Sequence, residues 1–151
     1  MHSAPVTTDR RILVVLEPGD EVVTSIAAAC SEHGVRQAVV PVFLGAFTSV
    51  TLIGTDEPVA DPDLPLPHAT TVEFVEGVGT ATIATGEDGG LAVHLHAAVG
   101  VKGAGALARA GHVLAATTHY TAEVLIEEVS GPHLRRRADP RAHGIPTLRL
   151  P

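Results

Sequence analysis

Hydrophobic and polar positions divide this chain into strands, one helix and a few polar breaks. RRILVVLEP (10–18) reads as an opening strand closed by a Pro-Gly turn. From Asp20 the spacing changes. Val22, Val23, Ile26, Ala27 and Cys30 recur as one face of a helix, with Asp20 as the expected N-cap and Gly34 as the residue just past its end. Two short apolar runs follow, QAVVPVF (37–43) and TSVTLIG (48–54), with Leu44 and Gly45 among the four residues between them. TDEPVADPDLPLPHA (55–69), with four prolines and four acids, predicts an exposed loop.

TTVEFVEG and VGTATIAT read as strands, and GEDGG as a hairpin turn into LAVHLHAAV (91–99). A glycine-rich segment, GVKGAGALARA, leads into a β-rich stretch that runs to Val129, after which periodicity is lost. The pattern predicts an α+β fold: a single compact domain, with one main helix against a largely antiparallel sheet. The expected boundaries are an N-terminal tail at 1–10, the domain at 11–129, and a basic, Pro-rich C-terminal tail at 130–151.

The stretch LAVHLHAAV carries the candidate chemistry. Strand side chains alternate, so Leu91, Val93, Leu95, Ala97 and Val99 share one face, while His94 and His96 share the other. That second face meets water, meets a subunit partner, or binds something. In a hairpin turning at Ala104, the positions of opposed residues sum to 208, which pairs His96 with His112. Opposed Cβ atoms lie about 4.5–5.5 Å apart, close enough for three imidazoles to reach the roughly 2.0–2.1 Å bonds of zinc. A one-residue slip would turn His112 to the opposite face. His119, Thr121 and Glu123 alternate along the following strand. Glu123 is therefore either a surface carboxylate or a group that orients the site or acts as a base, with His119 as the other acid/base candidate. Cys30 falls on the apolar face of the helix, and the other histidines lie at the helix end, in the proline loop or in the tails.

Composition sharpens this picture in two ways. Hydrophobic residues make up 45% and aromatic ones 3%, so burial must come from Val, Ala, Leu and Ile. The single cysteine excludes an internal disulfide framework and fits a reducing cytosol. No membrane-length apolar run and no apolar signal core occur, so a soluble, cytoplasmic protein without membrane contact is expected.

The net charge of −7 is unevenly spread. Residues 130–151 hold five arginines and one acid, a charge of +4, and the remainder carries −11. Such a body repels phosphate backbones, so any DNA contact falls to Arg135, Arg136 and Arg137. Otherwise those arginines belong to a solvated, partly disordered end.

The chain resembles the plants-and-prokaryotes-conserved (PPC) domain family in its stand-alone prokaryotic form. LEPGDEVVTSIAAACSEHGVRQAVV, LGAFTSVTL, VEFVEGVGTATI, GGLAVHLHAAV, AGHV and TAEVLIEEV carry the resemblance in order over roughly residues 11–129. It implies a homotrimer, zinc or another divalent metal on His94, His96 and His112, and a counterpart of the family's Thr-Ala-Glu glutamate at Glu123. Plant members carry a separate Arg-Gly-Arg-Pro minor-groove hook, which is absent here. PVFLGAF stands for the usual Gly-Ile-Gly-Ala-Leu turn, and Ala110-Gly111 for paired glycines.

Three functions follow from this reading. The first is a trimeric metal-binding protein with a DNA-binding or regulatory role. The second is a zinc enzyme acting on a small carbonyl-type or hydrolysable molecule, with Glu123 or His119 as acid/base. The third is an interaction scaffold stapled by metal.

Overall fold

The computed structural model describes residues 1–54, 68–142 and 144–151, so most of the expected proline loop lies outside the described residues, as does His143. Among the described residues, seven strands and one α-helix run in the order β1 (Thr7–Leu16), α1 (Val22–Glu32), β2 (Ala38–Ile53), β3 (Thr70–Thr85), β4 (Leu91–Val101), β5 (Leu107–Gly131), β6 (Arg135–Ala138) and β7 (Pro146–Arg149). The sheet is antiparallel apart from one parallel contact, Thr85 with Arg135. β2 pairs with β3 and β5, and β4 also pairs with β3 and β5, so these four strands close on one another in a ring. The expected largely antiparallel sheet with one helix is observed. The ring closure was not predicted.

The helix forms where its apolar spacing places it. Val22, Ile26 and Cys30 are fully buried, and the helix packs against β1, β4 and β5. Its N-cap is Glu21 rather than Asp20: the Glu21 carboxylate accepts from Thr24 N at 2.7 Å and from Ala116 N on β5 at 3.2 Å. Asp20 instead accepts from Glu17 N, closing the preceding turn. The end is as expected. Gly34 adopts φ +69°, and Val35 N bonds back to the Cys30 carbonyl.

The two apolar runs at 37–54 are one continuous strand, and so are TTVEFVEG and VGTATIAT. Pro41, which has no N–H to donate, sits where the register of β2 shifts against both neighbours, so the strand bulges past it without ending. Gly77 and Gly79 in β3 are not breaks either. A Cβ at Gly77 would collide with the Ala98 carbonyl and come within 2.7 Å of Val99 Cγ1, and one at Gly79 would collide with the His96 carbonyl. Their bare backbones let β4 lie close on β3.

The C-terminal segment corrects the expectation of a partly disordered end. β6 and β7 pair as an antiparallel hairpin. Gln37, buried, fastens the approach to it: its Nε2 donates to the carbonyls of Val129 and Pro132, and its Oε1 accepts from Leu134 N. Leu134 packs with Ala84 and Val129 in a second small core. Asp139 binds Arg141 and Arg149, which hold its carboxyl down at about 2. The charge of the segment hid its apolar anchors.

Candidate metal centre

Leu95, Ala97 and Val99 of β4 are buried in the main core, which turns His94 and His96 to the outer face of the ring. His96 stands directly opposite His112 on β5, and Val101 opposite Leu107, the register that a turn at 104 predicts. At this point β5 changes partner: His112 also pairs with Ile53 of β2. Gly111 permits the change, since a Cβ there would lie 3.0 Å from the Ile53 carbonyl oxygen.

The three rings converge. Ring centroids are 5.0 Å apart for His94 and His96, 4.7 Å for His94 and His112, and 5.3 Å for His96 and His112. One nitrogen from each lies within 4.8 Å of the other two. Ligands on a tetrahedral zinc stand roughly 3.4 Å apart, a difference that small side-chain rotations absorb. Nδ1 of His112 is buried and has no hydrogen-bond partner. A ring nitrogen withdrawn from water without a partner costs free energy, and a metal bond would offset it. The donor set fits a borderline, nitrogen-preferring divalent ion.

Electrostatics favours neutral, ligating imidazoles. Burial first, then the charges of Arg136, His112 and His96, pushes His94 down to about 4. Burial, with His96 and Arg136, lowers His112 as well. Rings that stay unprotonated at neutral pH offer lone pairs without first releasing protons.

The other predicted residues go elsewhere. Neither Glu123 nor His119 joins the cluster. Glu123 is exposed and lies eleven positions beyond His112, about 36 Å of extended strand. The His119 ring stacks on Tyr120 at 3.9 Å and meets Phe74 edge-on at 5.7 Å. Their alternation was visible in the sequence, but the length of β5 was not.

Of the three consecutive arginines, Arg135 and Arg137 are exposed, while Arg136 is buried and turned onto the body. This removes Arg136 from any solvent-facing nucleic-acid group. Its Nη2 donates to Thr82 Oγ1, and Thr82 is the ladder partner of His94. Sequence reasoning missed this neighbour of the histidines. Strand alternation within RRR was the available signal.

The sequence profile of the Plants and Prokaryotes Conserved (PCC) domain, the PPC domain named above, matches residues 4–130. No curated protein matches the chain. Solved structures with the same fold include a candidate DNA-binding protein from Ralstonia eutropha JMP134, 24% identical, with a TM-score of 0.77 over 92% of this chain and 90% of that one. A PPC protein from Pyrococcus horikoshii is 15% identical, with a TM-score of 0.79 over 97% of each chain. A metal-containing protein from Archaeoglobus fulgidus is 19% identical, with a TM-score of 0.77 over 96% of this chain and 97% of that one.

Proposed function

Since the chain belongs to the Plants and Prokaryotes Conserved domain family, we propose that it is a metal-binding member holding one divalent ion, zinc in the first instance, on His94, His96 and His112. The observation that carries this reading is the convergence of three imidazoles, one of which has a buried nitrogen without a partner. The metal-containing relative from Archaeoglobus fulgidus is consistent with it. When bound on three neutral ligands, such an ion supplies a Lewis acid with a position left for a further ligand. With Glu123 and His119 outside the cluster, a binding or regulatory role is favoured over catalysis.

The homotrimer belongs to the same proposal. On the outer face, Leu13, Leu125 and Val42 form one cross-strand row, and Val15, Glu123, Leu44 and Val78 the next. Leu13, Val15 and Val78 are each at least 60% exposed. An apolar patch spanning four strands is what a self-complementary interface would cover. A cytoplasmic location accords with the lone, buried Cys30. No helix among the described residues is long and apolar enough to cross a membrane.

DNA binding is the second reading, favoured by the exposure of Arg135 and Arg137 and by the name of the Ralstonia relative. Three copies would bring six such arginines together, and multivalency strengthens weak contacts. Under this reading, duplex affinity at about 50 mM salt falls steeply with added salt and is lost when both arginines are replaced by glutamine. No measurable affinity at that salt removes the reading.

Elemental analysis and light scattering of untagged protein test the main proposal together. It expects one ion per chain, a particle of three 15.5 kDa chains, and loss of the ion in His96→Ala. A metal-free wild type, or a His96→Ala protein with full metal content, would overturn the site.

A further inference from the structure

We infer that the three-histidine site takes a small oxyanion, a carboxylate or a phosphate, recognised by the guanidinium of Arg136. This rests on the metal-binding reading above and names the class of its ligand.

Arg136 is only 6% exposed. Buried arginines are ordinarily paired with a carboxylate, because withdrawing a charge from water is costly. Among the described residues no carboxylate lies within ion-pair distance of it, whereas the neighbouring Arg141 and Arg149 both share Asp139. Its donors are only partly used. Nη1 donates to the Pro146 carbonyl at 3.2 Å and Nη2 to Thr82 Oγ1, while Nε is buried and has no partner. Two anchors therefore hold the fork in place, with three of its five N–H groups, that of Nε among them, unmet and its charge unneutralised among the described residues.

The location supplies the rest. Thr82 faces His94 across the β3–β4 ladder, which brings the guanidinium to the edge of the triad. A cation beside a cation site weakens metal binding. A third partner of negative charge resolves the conflict, accepting from Arg136 on one side and facing the ion on the other. The planar guanidinium suits carboxylate and phosphate, both of which it can grip with two parallel hydrogen bonds. The C-terminal hairpin then forms one wall of the ligand site.

Calorimetric titration of the zinc-loaded full chain with acetate, inorganic phosphate and uncharged acetamide tests this, with zinc content measured before and after. At least one of the two anions should bind where acetamide does not. Arg136→Gln should weaken that binding at least tenfold without loss of zinc, and Arg136→Lys, which keeps the charge but not the fork, should fall between. Relative affinities for acetate and phosphate identify which anion the site prefers. Anions that bind no better than acetamide, or equally well to Arg136→Gln, overturn the inference. Should Arg136→Gln fail to fold, the anion-to-acetamide comparison in the wild type and Arg136→Lys decides. A chain that holds no zinc refutes the metal reading. The anion site then stands only if the metal-free chain shows the same Arg136-dependent binding, and otherwise falls with it.

Discussion

Arg136, near the C-terminus, donates to Thr82, the residue directly opposite His94 in the β3–β4 ladder. The last strands of the chain are thus tied to the strand that carries the histidines. Leu134 provides the apolar part of this tie, with 4% of its surface exposed. Leu134→Ala should lower stability by about 2–3 kcal/mol, read from the urea midpoint. A change within about 0.5 kcal/mol would mean that the hairpin is not packed as described.

The histidines make the stability of the metal-free protein depend on pH. His94 is held at about 4 and His112 below its ordinary 6.5. Between these values the unfolded chain binds more protons than the folded one, so stability rises with pH. Metal-free protein should therefore lose melting temperature as pH falls from about 6.5 toward 4, and His94→Gln should flatten that slope. Calorimetric scans at several pH values measure it. A slope unchanged in the variant would contradict the burial of His94.

Close approach of β4 to β3 depends on Gly77. Its replacement by alanine puts a methyl group against the Ala98 carbonyl and Val99 Cγ1. Gly77→Ala should cost about 1–3 kcal/mol and loosen the ladder beside His96. Denaturant titration gives the cost, and hydrogen exchange at Ala97–Val99 gives the location.

Glu21 joins the start of α1 to β5 by accepting from Thr24 N and Ala116 N. Glu21→Ala should cost about 1 kcal/mol, whereas Asp20→Ala leaves the helix cap in place. Equal losses in the two would return the cap to Asp20.

The legible parts of the sequence are those where local rules and the fold agree. Helix spacing from Val22 to Cys30 survives because one face meets the core. The His96–His112 pairing was readable because the ladder runs without a bulge from the turn to that pair. Bulges defeated the reading elsewhere: Pro41 looks like a strand break yet lies inside β2. Glycines misled in the same way, since in β3 they mark contact between strands and not an end. Glu21 was missed as the cap because one of its donors comes from β5, far away in sequence. Arg136 was missed because a run of like charges conceals which side chain the strand turns inward.

Zinc-edge X-ray absorption on untagged protein reads the central claim most directly. The account predicts about three imidazole nitrogens at roughly 2.0–2.1 Å, with the outer-shell scattering of histidine rings, and loss of one ring in His112→Ala. Sulfur ligands, a shell of oxygens alone, or a spectrum unaltered by His112→Ala would contradict it.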